Sequence, residues 1–444
     1  APYNARADVA KEAKMYSGGV PDRFFVENAN DLLVSGENDL AIQVHNTDIN
    51  SSDLTLIPFF TLGMSEIPAD AQGLSPYLQI STDLLHTNFK IDSQGETLTL
   101  VNSSQEIIDE IETGYIPTDM SRGRQPDADS SWFLFSDPTP GEPNEGERFN
   151  GIFAKPQFSH IGGFYQDQIV LEILTDPIGG EIYYTTDGSI PTQESSLLDG
   201  DTLTIASGIE VIRAIAVQDG FLPSESVTHT YFINQTYQLP VVSLSTNPEN
   251  FFDDEIGIYV KGNEAEDWFP YWGANFWSDC PHSNMREYGC ENWERPVHIE
   301  FYEQNGDYGF SADVGARIHG HWMRGLPQKS IAIIARSQYG YPEIDYKIFP
   351  NRPFSQFQGL LLRQSGNDWS STMIRDGIAH ALAEGRDLDV VAFRPSILFI
   401  NGEYWGIHNI REKINEHYVQ SHHNINIDNL DLIETSYGFW PMYG

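Results

Sequence analysis

Apolar and polar positions alternate one by one in several stretches of the chain, the period of strands half-buried against a core. Leu40, Ile42 and Val44 alternate with polar neighbours after the turn Gly36-Glu37-Asn38-Asp39. Leu98 and Leu100 interleave with Thr97 and Thr99 beyond the turn Ser93-Gln94-Gly95. Ile182 and Tyr184 do the same with Tyr183 and Thr185, Asp187-Gly188 is a hairpin turn, and Ile212, Ala214 and Ala216 mark a further strand. After residue 236 the pattern becomes mixed. Residues 314–320 and 329–337 read as strands around the loop 321–328, and 359–363 as another. Ser370-Ser371 is placed to cap a helix whose apolar face is Ile374, Ile378, Ala381 and Leu382, with Gly385 closing it. Residues 395–400 and 404–410 flank the turn Asn401-Gly402, and 411–419 continue as a helix. The fold class expected is therefore multidomain: β-sandwich modules followed by an α+β lobe of five strands with interspersed helices.

Composition narrows the function. At 444 residues the chain has room for about three domains. It carries 64 acidic against 25 basic residues, a net charge of −39, which argues against nucleic-acid binding and against adhesion to anionic membranes. With 40% hydrophobic and 12% aromatic residues it has enough to build packed cores, so the acidity is not the mark of a disordered chain. No apolar run is long enough to span a bilayer. Ala1 does not open a signal peptide, as a trimmed chain would not. Such acidity means either a solvated surface that stays soluble in salt or one that binds calcium. The two cysteines, Cys280 and Cys290, lie close together in an aromatic stretch and suggest one local disulfide, worth about 2–3 kcal/mol by loop closure, with a reduced pair as the alternative. That disulfide and the sequons at Asn50, Asn102 and Asn234 fit a secreted or cell-surface chain.

Charge is unevenly spread. Thirteen of the 25 basic residues fall between Arg295 and Lys413. An acidic protein that concentrates cations in one stretch is either preparing a site for an anion such as phosphate or pairing each cation with a neighbouring carboxylate. Charge alone leaves the two equal.

Four segments follow from these patterns, and each carries a resemblance. Residues 1–65, with GENDLAIQVHN and SSDL, resemble the second half of a galactose-binding-like β-sandwich. Residues 75–147 resemble a lamin-tail domain, an immunoglobulin-like sandwich, through Asn88-Phe89-Lys90, Gly95-Glu96-Thr97-Leu98, the run from Ser121 to Asp127 and Pro138-Thr139-Pro140-Gly141. Residues 150–235, with YYTTDGSIPT, resemble the accessory sandwich at the C-terminus of chitobiases and hexosaminidases, in which Asp187 is a turn residue and not a catalytic acid. Linkers near 66–74, 141–150 and 235–240 are expected to join the modules as separate beads.

Residues 236–444 resemble the CotH family of secreted, kinase-like spore-coat proteins. The matching residues are Arg317-Ile318-His319-Gly320, Pro327-Gln328-Lys329-Ser330, Leu362-Arg363 with the run Ser365 to Trp369, the run Met373 to Asp376, and Asn401 to Ile407 leading into Asn409 to Lys413. The resemblance implies a kinase-like lobe that binds ATP with magnesium and transfers phosphate to protein serines. Phosphoryl transfer needs cations at the phosphates, carboxylates on the metal and a base on the hydroxyl. Lys329 is the candidate for the α/β-phosphates, Arg317 and Arg363 are supporting cations, and Glu412 is expected to pair with Lys329. The metal-binding aspartates and the base are expected beyond Gly444, so the stretch to Gly444 reads as a lobe without its catalytic half. Because fungal relatives act as adhesins, the alternative is a structural or adhesive component that meets protein partners, or copies of itself, at the cell surface.

Overall fold

The computed structural model describes residues 91, 95–117, 119–277, 293–435 and 439–443. The galactose-binding-like segment 1–65 and both cysteines lie outside these residues, so the expected disulfide does too. The chain divides into two units, 1–85 and 86–444, and everything below concerns the second.

Residues 95–149 form two small sheets. Thr97–Val101 pairs with Ile107–Glu112, as the Thr/Leu alternation predicts, and Ser121–Arg124, Trp132–Phe135 and Arg148–Phe149 form the other. Leu100 and Ile107 of the hairpin are more than half exposed.

Residues 157–233 form a sandwich. A five-stranded sheet, built on Glu181–Thr185, Gly208–Val217 and Val227–Ile233, faces a three-stranded one centred on Ile169–Leu174. Leu171, Ile173, Ile212, Ala214 and Tyr231 fill the space between them. The alternation read at Ile182 and at Ile212 to Ala216 falls within these strands.

Beyond the sandwich, seven strands close into a barrel: β1 Val241–Ser245, β2 Arg295–Tyr302, β3 Tyr308–His319, β4 Ser330–Ile334, β5 Gly359–Arg363, β6 Phe393–Ile400 and β7 Glu403–Glu412. Neighbours are antiparallel except for β1 and β6, whose parallel pairing closes the ring. Inward positions alternate along every strand and are apolar: Val242 and Leu244, then Val297, Ile299 and Phe301, with Ile331, Ile333, Leu360, Leu362, Leu398, Ile400 and Ile410. Among the described residues, three α-helices accompany the barrel: α1 Pro248–Phe252, α2 Arg375–Ala383 and α3 Glu416–His423.

Three expectations change here. The five strands with interspersed helices are a closed seven-stranded barrel carrying short helices. Residues 411 and 412 continue β7, because Leu360 and Leu361 of β5 bond to Glu412 and Arg411; the helix begins only after Asn415, whose side chain accepts from the Tyr418 amide. The third concerns α2. Its apolar stripe Ile374, Ile378 and Leu382 faces outward, while Asp376 and Gly377 face the barrel. A side chain on Gly377 would put its Cβ 2.5 Å from the Phe393 ring, so only glycine lets the helix approach this closely. Ser370-Ser371 does not cap α2; Asp368 accepts the Arg375 amide instead.

Sandwich and barrel are not beads on a tether. The outward residues Val241, Tyr302, Ile397 and Phe399 pack with Phe232 of the sandwich, and Phe164, Ile209, Tyr237 and Leu239 join the cluster. Phe232 lies 5.5 Å from Tyr302 and 5.4 Å from Phe399, edge to face, and stacks on Phe164 at 4.5 Å. The segment expected as a linker at 235–240 is thus part of a core. Replacing Phe399 by Ala should cost about 3–5 kcal/mol. Hydrogen exchange should then show amide protection falling in both Val227–Ile233 and β1, whereas loss confined to the barrel would contradict a shared core.

Candidate anion-binding site

Because Ile318, Ile331, Leu362 and Ile410 point into the barrel, their neighbours along each strand point out. The outer face of β3, β4, β5 and β7 therefore presents Arg317, His319, Ser330, Arg363, Asn409 and Arg411 side by side. The loop 365–374 and α2 lie over part of this face.

Asp376, in the first turn of α2, receives two guanidiniums: Arg411 Nη1 at 2.8 Å and Arg363 Nε at 3.0 Å. Arg411 is almost fully buried and also donates to the Ala392 carbonyl at 3.0 Å. Arg363 is about one-third exposed, and its Nε is close enough for an ion pair yet makes no hydrogen bond. On the same face Arg317 meets Glu294 at 2.7 Å and Arg336 meets the same carboxylate at 2.9 Å. In both places two cations share one carboxylate, which leaves local positive charge.

His319 registers that charge. Burial lowers its ring to about 3, and Arg324, Lys413 and Arg363 push in the same direction. Among the described residues it makes no hydrogen bond, so a neutral ring sits in a positive field beside Arg363.

The loop over the face is fixed by its own polar groups. Asp368 accepts from the Thr372 hydroxyl and from the amides of Thr372 and Arg375, and these bonds hold its carboxyl down to about 2. Ser365 donates to the Met373 carbonyl at 2.7 Å, and Asn409 Nδ2 donates to Ser365 Oγ at 2.7 Å. Asn409 Oδ1 is buried with no partner.

The predicted site residues do not converge. Lys329 projects into the end of the barrel and is 4% exposed. Its ammonium donates to the carbonyls of Arg324 at 2.8 Å and Leu326 at 2.6 Å, and lies 4.2 Å from the centre of the Phe276 ring. Glu412 does not pair with it. That carboxylate takes Arg352 at 2.8 Å, the Ala392 amide at 2.7 Å and His422 at 2.8 Å. The physical reason is register: Glu412 lies level with Leu360 and Ile333, while Lys329 precedes β4 beside His408, so the two sit at different ends of the barrel, Lys329 among barrel-end carbonyls and Glu412 beside α3 and the Arg352 loop. Arg317 and Arg363 reach the outer face, and Arg363 alone of the four stands with Arg411, Asp376 and His319. The sequence reading named none of these last three as site residues. All lay within quoted motifs, and an aspartate or histidine inside the basic stretch was the available signal for two of them.

No metal cluster appears among the described residues: no three of His, Cys, Asp or Glu come together. Asp376 and Asp368 are already engaged by guanidinium and amide groups. The described residues thus supply cations for phosphate but no ligand set for magnesium or for the calcium suggested by the acidity.

Residues 316–439, from the end of β3 through β7 and with most of the face just described, match the family model described as CotH kinase protein. Residues 161–229, within the sandwich, match the chitobiase/beta-hexosaminidase C-terminal domain. No curated protein matches the chain. The two matches support a CotH-type region joined to an accessory β-sandwich.

Lys329 provides a test of this placement. Burial lowers its ammonium to about 8, against an ordinary 10.5. Between these values the folded chain has released a proton that the unfolded chain still holds, so this group makes stability rise with pH from about 8 to 10.5, by about 3 kcal/mol in all. Urea unfolding of wild type and Lys329→Met across that window should show the difference moving in favour of wild type by about that amount. Parallel curves would place Lys329 in water.

Proposed function

We propose that the chain is the sandwich-and-barrel part of an exported CotH-type protein whose full-length form transfers phosphate from ATP to protein serines. The barrel's outer face would receive the nucleotide phosphates. One observation carries this reading: Arg363 and Arg411 share the single carboxylate of Asp376 beside a neutral His319, inside a region that matches the CotH kinase model. An arriving phosphate oxygen would take the free edge of Arg363 and add the negative charge that the face lacks. Long-range repulsion from a chain of −39 is screened beyond about 8 Å at physiological salt, so the local guanidiniums decide. Magnesium, when bound, would neutralise the phosphates; the described residues offer it no ligand cluster. Lys329, walled in by carbonyls and rings, acts in this reading as a barrel-end anchor.

A second reading, a structural or adhesive component at the cell surface that meets protein partners or further copies, draws support from the packed aromatic junction. A sandwich fixed to a barrel through Phe232, Tyr302 and Phe399 makes a stiff spacer.

Titration calorimetry distinguishes them. Residues 1–444 should bind magnesium-ATP no tighter than about millimolar, because the metal's ligands are missing from the described residues. The full-length protein should bind in the micromolar range and lose about tenfold or more with Arg363→Ala, the weight of one charge-assisted contact. Full-length binding that ignores Arg363→Ala but fails with Lys329→Met would return the phosphates to the barrel end, and a full-length protein that binds no nucleotide would leave the structural reading.

A further inference from the structure

The loops 264–277 and 321–328 meet at one end of the barrel, and their rings form a cluster that runs from the core to the surface. Trp277 is buried and Trp272 half-buried, with ring centres 4.7 Å apart. Beyond them Trp322 lies 5.5 Å and Trp268 6.5 Å from Trp272. Phe269 closes the outer edge, 6.4 Å from Trp322, and Gly325 seats its ring, since a Cβ there would be 2.7 Å away. Trp268 is 58% exposed, Trp322 45% and Phe269 42%. Proteins bury most of their tryptophan surface, and adjoining rings left in water mark an interaction surface.

The rings nearer the core show what this cluster attracts. Lys329 lies 4.2 Å from the centre of the Phe276 ring, Arg324 5.6 Å from that of Trp277 and Lys261 4.9 Å from that of Tyr271. Lys261 is the most instructive, because it is itself partly exposed and Asp267 takes its ammonium at 3.1 Å. A ring and a carboxylate of this loop thus hold one surface cation between them. Trp268, Phe269 and Trp322 hold no cation among the described residues. Carboxylates nevertheless crowd their neighbourhood. Between Asp253 and Trp272 the chain carries six acidic residues and a single basic one, Lys261. Glu264 and Asp267 are exposed, and Glu264 has no ion-pair partner among the described residues.

Two properties select the partner. An indole face is electron-rich and attracts a cation more strongly than any other side-chain ring does. Carboxylates at its rim favour the same charge and repel acidic glycans and anionic membranes. A neutral sugar would also stack on the rings, but it would leave the local excess of carboxylates unbalanced. A guanidinium satisfies both demands, lying flat on an indole while its edge pairs with a carboxylate, and an ammonium does so as a point charge. We propose that this surface docks a basic segment of a partner protein, an arginine or lysine side chain lying over Trp268 or Trp322 beside Glu264 and Asp267. The proposal stands whether or not the full-length protein transfers phosphate.

Titrating residues 1–444 with a peptide of four Arg-Gly-Ser repeats, the same peptide with citrulline for arginine, cellohexaose and phosphatidylcholine vesicles tests the assignment. Calorimetry reads affinity, and the indole N–H signals in NMR read place. The arginine peptide should bind saturably, about tenfold or more tighter than the citrulline peptide, and move the Trp268 and Trp322 signals while leaving that of Trp132. Trp268→Ser keeps every carboxylate and should weaken binding about fivefold, the weight of one cation over an indole. Glu264→Gln keeps every ring and should weaken it about threefold, the weight of one exposed ion pair. Both side chains are exposed, and unchanged melting shows that the variants fold. Arginine-peptide binding that Trp268→Ser leaves unmoved would reduce the effect to the overall charge and overturn the proposal. Tighter binding of cellohexaose or of the vesicles, or no saturable binding of the arginine peptide at millimolar concentration, would overturn it too.

Discussion

Burial of the same strands on both faces is the constraint from which the rest follows. All five residues of β1 are buried, because Val242 and Leu244 fill the barrel while Val241, Ser243 and Ser245 are covered from outside. β2 behaves alike: Val297, Ile299 and Phe301 point in, and Glu300 and Tyr302 point out beneath the sandwich. Some polar groups trapped in that layer bond to one another, while Ser245 Oγ and Glu300 Oε2 have no hydrogen-bond partner. Thr230 and Ser243 share a hydrogen bond of 2.8 Å across the junction, and Glu300 takes the Tyr302 hydroxyl at 2.9 Å. Gly162 passes so close that a Cβ there would sit 2.5 Å from Glu300. Such a layer leaves the sandwich one seat on the barrel, and no freedom to swing.

With one side of the barrel given to the sandwich and the interior to apolar side chains, the cations of residues 295–413 have few places left. Those drawn inward are met by carbonyls, as Lys329 is, or by carboxylates, as Arg352 is by Glu412 and Glu384 and the part-buried Arg394 is by Glu303. Arg317, Arg363 and Arg411, with Arg336 just past β4, stand on the face of β3, β4, β5 and β7. Pairing with carboxylates thus accounts for most of the basic cluster, and the sharing of Glu294 and of Asp376 accounts for the excess that a bound anion would balance.

Local pattern revealed the strands well and their partners poorly. The alternations at Thr97, Ile182 and Ile212, the run 359–363 and the hairpin at Asn401-Gly402 all appear as read. Closure did not, because β1 and β6 pair across some 150 residues and nothing local announces it. The α2 stripe misled for a related reason. Ile374, Ile378 and Leu382 repeat with helical spacing, but Arg363 and Arg411 on the barrel hold Asp376, and that attraction turns the polar side inward. The motif residues around Arg363 and Asn409 were legible as a site; that Lys329 belongs to the barrel end while Asp376 belongs to the face needed the register of β4, β5 and β7.

The claim that the anion site is the outer face, and not the barrel end, is open to one direct measurement. His319 stands on that face with its ring lowered to about 3, and His408 lies at the barrel end, its Nε2 3.0 Å from the Lys329 carbonyl and its ring lowered to about 4. An anion that settles by Arg363 relieves the positive field and raises the His319 titration, while leaving His408 untouched. Following both rings by NMR through acid titration, with and without tripolyphosphate, should therefore show His319 moving upward alone. A shift at His408 with none at His319 would contradict the account.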